Sequence, residues 1–218
     1  MFSGLARRYQ LFNRLSSLGL DKSWRSELVK RLFSARRVLD VGTGTGDLAR
    51  DILVCHPEVN VVGVDLSFGM LVESGRCQGP SFPRIQAGVD RLPFKDGSFD
   101  WVVSAFVLRN LVMGGVLTGG LLELSRVLEP GGRLMFLDLT RPSRFILRWG
   151  HEIYGRTILP MIGRVLFGNK WPGSYLQRSI NALPDTEVLR TCLLSNGFSK
   201  FECRPLWGGI VSLFTGVK

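Results

Sequence analysis

Residues 38–47 read Val-Leu-Asp-Val-Gly-Thr-Gly-Thr-Gly-Asp. An apolar run carries an acid, Asp40, and opens into a loop with glycine at every second position: Gly42, Gly44 and Gly46. Glycine admits positive φ and leaves room for a ligand to pass close to the main chain. Between a strand and a helix, such a loop is the nucleotide-binding device of doubly wound α/β folds. The spacing here is D-x-G-x-G-x-G. It differs from the G-x-G-x-x-G of dinucleotide folds and lacks the G-K-[ST] of P-loops. A glycine-rich turn with no ligand is the competing reading.

The flanking sequence alternates as a parallel sheet requires. Arg37–Val41 reads as strand one and Asp47–Cys55 as the helix after the loop. Val59–Asp65 is a continuous apolar run ending in a carboxylate, which suits a strand buried on both faces. Phe68–Ser74 starts a helix with Ser67 as its cap. Arg84–Ala87 reads as strand three and Phe99–Ala105 as strand four. The Leu117–Leu128 helix is stopped by Glu129-Pro130-Gly131-Gly132, and Arg133–Asp138 is strand five. Phe198–Pro205 and Ile210–Gly216 read as a closing antiparallel pair, after a helix over Pro184–Gly197 that glycine ends. The expected fold is α/β: a seven-stranded, mostly parallel sheet with helices on both faces. One domain takes in residues 1–218. Residues 1–34 form an N-terminal helical lid with a break at Gly19, and residues 141–180 a helical cap inserted after strand five.

The loop resembles motif I of the S-adenosylmethionine (SAM) dependent class I methyltransferases, which have a Rossmann-like sheet. Their loop faces a sulfonium and an amino acid, so no phosphate-binding Lys is needed. On that resemblance the cofactor is SAM, and its site takes in Asp40, Gly42, Thr43, Gly44, Gly46, Asp65, Leu66, Met70, Gly88, Val89 and Asp90. Asp65 lies about 20 residues beyond the loop, where such folds place the acid that binds the ribose hydroxyls. The alternative for Asp65 is a helix-capping role. Asp40 and Asp47 flank the loop and can hold the methionine ammonium, although Asp47 equally favours its helix N-terminus. Met70 packs either on the adenine or in the core. Asp90 either reads the adenine edge or is a solvated surface acid.

A more particular resemblance covers nearly the whole chain. Tyr9, Asn13, Ser17, Gly19, Trp24 and Arg25 follow the Y-D-x-x-N-x-x-x-S-x-G…W-R opening of the ubiquinone/menaquinone biosynthesis C-methyltransferases, the UbiE family. Phe106–Asn110 resembles its F-G-x-R-N, Arg126–Gly132 its R-V-L-K-P-G-G, and Leu159–Gly163 its L-P-x-x-G cap segment. The resemblance implies methylation of a ring carbon on a polyprenylated quinol, a demethylmenaquinol or ubiquinol precursor; the alternatives are a methyltransferase of another lipophilic small molecule, one of tRNA or other nucleic acid, and a non-catalytic partner subunit of the same fold. Such a ring reacts best as a phenolate. Arg109 cannot serve as an ordinary base, because a guanidinium keeps its proton in proteins. It can stabilise phenolate oxygen or orient a water, with Asn110 donating to the same oxygen. A structural Arg–carboxylate pair is the alternative for Arg109. Tyr9 closes over the acceptor ring or packs in the core, and His151 is a general base or a packing residue. Four positions depart from the family: Gln10 for Asp, Gly88 for the Asp beside adenine, Val107 for Gly, and Val112–Gly115 without an acid.

The formal charge is +10, from 28 Lys and Arg against 18 Asp and Glu, which points to an anionic surface. Residues 141–171 mix Arg141, Arg164 and Lys170 with Trp149, Phe167 and Trp171, as an interfacial element does. The expected partners are a lipophilic quinol and an anionic membrane, with a homodimer as a further option. No nucleic acid is expected, because strand four is followed by Arg-Asn where nucleobase methylation needs a signature such as N-P-P-Y. No metal is expected, since Cys55, Cys77, Cys192 and Cys203 lack metal spacing. The expected location is cytoplasmic, against the inner face of the membrane. The basic opening with Arg7, Arg8 and Arg14 is similar to a transit peptide, but the family resemblance implies that it belongs to the fold.

Overall fold

The computed structural model describes residues 15–142, 149, 153–155, 157–167 and 175–218. Its strands are Arg37–Val41 (β1), Asn60–Asp65 (β2), Arg84–Gln86 (β3), Phe99–Ala105 (β4), Leu128–Leu139 (β5), Lys200–Leu206 (β6) and Val211–Val217 (β7). They make one seven-stranded sheet in the order β3-β2-β1-β4-β5-β7-β6. The first five strands are mutually parallel, and β7 runs antiparallel to both of its neighbours.

The helices are Asp21–Val29 (α1), Asp47–Cys55 (α2), Phe68–Arg76 (α3), Leu108–Met113 (α4), Leu117–Val127 (α5), Ile158–Phe167 (α6), Tyr175–Ala182 (α7) and Thr186–Leu194 (α8). Alternate strand residues feed two cores, one on each face of the sheet. Val38, Trp101, Val103, Met135 and Leu213 join Leu28 of α1 and Leu48 and Ile52 of α2. Leu39, Val102, Leu134, Phe136 and Phe214 join Leu121 and Leu124 of α5 and Leu189 and Leu193 of α8. At about 25 cal/mol per Å² of buried apolar surface, these two layers are the main source of stability.

Two local features differ from the sequence expectation. β5 begins at Leu128, which pairs with Phe99 before the Glu129–Gly132 turn bulges out; pairing resumes at Trp101 and Arg133. α4 was not foreseen, because six residues are too few to show a helical period. At the N-terminus, helix ending at Ser16 and α1 from Asp21 stand on either side of a turn in which Gly19 takes φ +76, the break expected there. Asp100 accepts from the amides of Arg36 and Arg37 at 2.7 and 2.8 Å and so anchors the start of β1.

Candidate active site

β1 is followed to one side by β2 and β3, while the chain returns to its other side as β4. The crevice between the carboxyl ends of β1 and β4 is therefore the topological switch point, where open α/β sheets bind ligands. The glycine loop lies on one wall. All three of its glycines take positive φ: +67 at Gly42, +55 at Gly44 and +81 at Gly46. Packing demands glycine at two of them. A Cβ on Gly42 would stand 2.5 Å from a Val107 methyl, and one on Gly46 would stand 2.6 Å from both Phe82 and the Ser74 hydroxyl. At Gly44 a Cβ would meet only the Gly42 carbonyl at 3.9 Å, so the middle of the loop faces open space.

Asp40 lies buried beneath this opening. Its Oδ2 accepts from the Thr43 hydroxyl at 2.7 Å, and the Ala49 amide also donates to the carboxylate. Burial pushes the Asp40 carboxyl up to about 7, with the neighbouring charge of Asp65 adding to the effect. Thr43 also locks the loop to β2 through its amide, which donates to the Val64 carbonyl at 2.9 Å. Asp47, which opens α2, accepts from the Thr45 hydroxyl at 3.0 Å. A buried carboxylate that is costly to ionise by itself fits a cationic ligand group.

Asp65 ends β2 across the loop from Asp40. One carboxylate oxygen accepts from the Gly44 amide and the other from the Ser67 amide, each at 2.8 Å. Burial raises its pKa, and these two amides work against the rise. Each carboxylate oxygen has a second lone pair, so the acid can still receive a diol. Leu66 and Phe68, immediately after it, are large apolar side chains left exposed, whereas Met70 is buried. Its burial fits both readings of Met70, which belongs to neither of the two core layers. Phe68 is an exposed apolar surface close to Asp65 that sequence reasoning missed, since nothing in the spacing separates it from a core position of α3.

Gly88, Val89 and Asp90 follow β3. The Val89 side chain belongs to the core and packs on Gly120, which leaves its backbone as the part able to face a ligand. Asp90 is exposed, with one oxygen folded back over Gly88.

The opposite wall begins at Phe106, where a non-glycine residue takes φ +63 just after β4. Strained backbone of this kind concentrates at functional sites. Phe106 meets Trp24 of α1 edge to face, with centroids 6.2 Å apart. The indole Nε1 of Trp24 is the one buried side-chain nitrogen or oxygen among the described residues without a hydrogen-bond partner.

Arg109, one turn into α4, is buried. Its Nη1 pairs with Asp138 at the end of β5, its amide donates to Asp138 Oδ2 at 3.0 Å, and its Nε donates to Ser179 of α7 at 3.2 Å. The structural Arg–carboxylate pair is therefore present, and it fastens α7 to the end of the sheet. Asp138 was taken only as the last residue of a strand; no spacing signal joins it to Arg109, 29 residues earlier. Asn110 is half-buried, and its amide nitrogen lies 3.4 Å from the Phe106 carbonyl. Tyr9 and His151 lie outside the described residues. Among the described residues no cluster of His, Cys, Asp or Glu is able to hold a metal.

Seven strands in this order, with a glycine loop and two acids at the switch point, define a class I SAM-dependent methyltransferase fold. Solved structures agree on that fold. A SAM-dependent methyltransferase from Thermotoga maritima, a possible histamine N-methyltransferase, superimposes with a TM-score of 0.69 at 19% identity and covers 100% of this chain and 98% of that one. Human N-acetylserotonin methyltransferase in complex with SAM gives 0.66 at 16% identity over 100% of this chain and 59% of its own. The family is shown by sequence: the chain belongs to the ubiE/COQ5 methyltransferase family, whose model matches residues 1–218. It is similar to demethylmenaquinone methyltransferase of Bacteroides fragilis, 37% identical over 230 residues with 100% of this chain and 91% of the relative covered. It is also similar to the ubiquinone/menaquinone biosynthesis C-methyltransferase UbiE of Geobacter sulfurreducens, 39% identical over 227 residues, covering 100% and 87%. The chain is a methyltransferase.

Proposed function

We propose that this methyltransferase moves the methyl group of SAM to a ring carbon of a polyprenylated quinol, a demethylmenaquinol or ubiquinol precursor. The observation that carries the reading is the switch-point crevice, with buried Asp40 under the open Gly44 on one side and Arg109-Asn110 on the other. SAM supplies an electrophilic methyl on a sulfonium that becomes a neutral thioether. Asp65 would receive the ribose diol, Leu66 and Phe68 would hold the adenine, and the backbone at Gly88–Asp90 would read it. Asp40 would take the positive charge of the amino-acid end, helped by the turn that Gly42 and Gly46 permit.

On the acceptor side the quinol hydroxyl would give its proton to solvent to make the ring carbon nucleophilic; the ring C–H would be exchanged for a C–CH3 bond, and the displaced ring proton would restore the hydroxyl. Asn110 donates to the phenolate oxygen. Arg109 has five N–H donors, of which Asp138 and Ser179 engage two, so it can hold the oxygen electrostatically while it fastens α7. Tyr9 and His151 complete the acceptor side in this reading. The chain works as a peripheral protein on the cytoplasmic, anionic face of a membrane, alone or as a homodimer.

The test is methyl transfer from labelled SAM to demethylquinols, other lipophilic phenols and tRNA in parallel. Label in the demethylquinol ring is the expected result. Label only in tRNA, or only in a different phenol, overturns the reading.

A further inference from the structure

The segment between β5 and α8 has an unusual charge balance. From Thr140 to Pro184 the sequence holds Arg141, Arg144, Arg148, Arg156, Arg164, Lys170 and Arg178 against the single acid Glu152. Within it, α6 reads Ile-Leu-Pro-Met-Ile-Gly-Arg-Val-Leu-Phe and is apolar almost all round. A helix of that kind belongs in a core or in lipid. α6 does not lie in a core. Leu159 and Gly163 are buried and make its inner face, while Val165 is 80% exposed, Met161 62% and Ile158 41%. At 100° per residue these three fall within a sector of about 60°, with exposed Arg164 at its margin. Trp149 is 62% exposed and Ile153 40% exposed just before the helix.

The geometry points to α6 as the element that inserts into a bilayer. Its Ile158, Met161 and Val165 face enters the acyl boundary, and Arg164 at its margin, with the basic residues of the same segment, holds anionic headgroups. This rests on the reading of a lipid-borne acceptor. Long basic side chains at the edge of an apolar stripe reach back to the headgroups while the stripe is immersed. α7, the next described helix in the chain after α6, packs on α4 and is held to Arg109 through Ser179. Tyr154 ties the segment to the N-terminal element by donating to the Ser16 carbonyl at 3.0 Å. Among the described residues no helix is long and apolar enough to cross a membrane, so insertion is in the plane of the interface.

The experiment sediments the full chain with vesicles of phosphatidylcholine alone and of phosphatidylcholine with phosphatidylglycerol. It compares wild type with the double variant Met161→Glu, Val165→Glu, with SAM affinity as the control for folding. Binding to the anionic vesicles that falls at least tenfold in the variant, at unchanged SAM affinity, is the expected result. Equal binding by both proteins overturns the insertion of α6 and leaves only charge. Absence of vesicle binding overturns it too, as does a variant that changes only the sedimentation coefficient of a dimer. Should the double variant lose SAM binding, Val165→Cys carrying an environment-sensitive fluorophore replaces it; an unshifted emission on anionic vesicles then refutes insertion. A tail-less demethylquinol assayed without lipid reports on the chemistry by itself, so failure of the proposed function shows there and not in sedimentation.

Discussion

Asp40 carries the most quantitative consequence of this crevice, and Asp40→Asn exposes it. The folded carboxyl stands at about 7 against an ordinary value of 3.8, through burial first and the Asp65 charge second. One pKa unit corresponds to about 1.4 kcal/mol, so the protein opposes the ionised form by about 4 kcal/mol. Because the folded value is raised, the contribution to stability is fully present below pH 3.8 and is lost as the pH climbs to about 7. Between pH 5 and pH 8 the wild type should lose about 2–3 kcal/mol through this group, or about 5–10 °C in Tm for a chain of this size. Asn has no proton to lose, and the Thr43 hydroxyl can turn to accept from its amide. The Tm of Asp40→Asn relative to wild type should therefore rise by that amount over the same range. Affinity for SAM should behave oppositely: the wild type tightens as Asp40 ionises, while the variant binds weakly at every pH. Thermal scans and calorimetric titrations at pH 5, 6, 7 and 8 measure both. A Tm difference that stays constant with pH refutes the buried-carboxylate argument, and unchanged SAM affinity refutes its place beside the cation.

Three further outcomes follow from the same geometry. Gly44→Ala should fold at a cost of about 1–2 kcal/mol for its left-handed backbone and yet lose SAM binding, whereas Gly46→Ala meets Phe82 and Ser74 and should unfold at a lower temperature than Gly44→Ala; thermal melts with a SAM titration separate the two. Asp65→Ala should weaken SAM by about 10–100-fold, since charge-assisted hydrogen bonds are worth about 1.5–3 kcal/mol, and calorimetry reads it directly. Asp138→Asn leaves the buried Arg109 guanidinium without its counter-charge and should cost about 3–5 kcal/mol by urea denaturation, with much of the loss recovered in the double variant Asp138→Leu, Arg109→Met.

Much of this was legible in the chain. The loop, the acid after β2 and the limits of β1, α2 and β4 follow from local rules, namely glycine spacing and continuous apolar runs bounded by polar ends. The antiparallel closing pair was legible for the same reason. Arg109 was visible as a residue but not in its environment. Its partners, Asp138 and Ser179, lie 29 and 70 residues away, and only the return of β5 beside β4 and the docking of α7 bring them together. Met70 shows the same limit, because an apolar residue at the start of a helix has one spelling whether it faces a ligand or a core.

By itself the sequence determined the sheet, the position of the glycine loop and the family, because backbone conformation and hydrophobic period act over a few residues. The tertiary structure decided which glycine faces open space, why Asp40 resists ionisation, and which face of α6 is turned outward. Those properties are set by what surrounds a group in three dimensions. Burial and charge at a distance have no local signature in the chain.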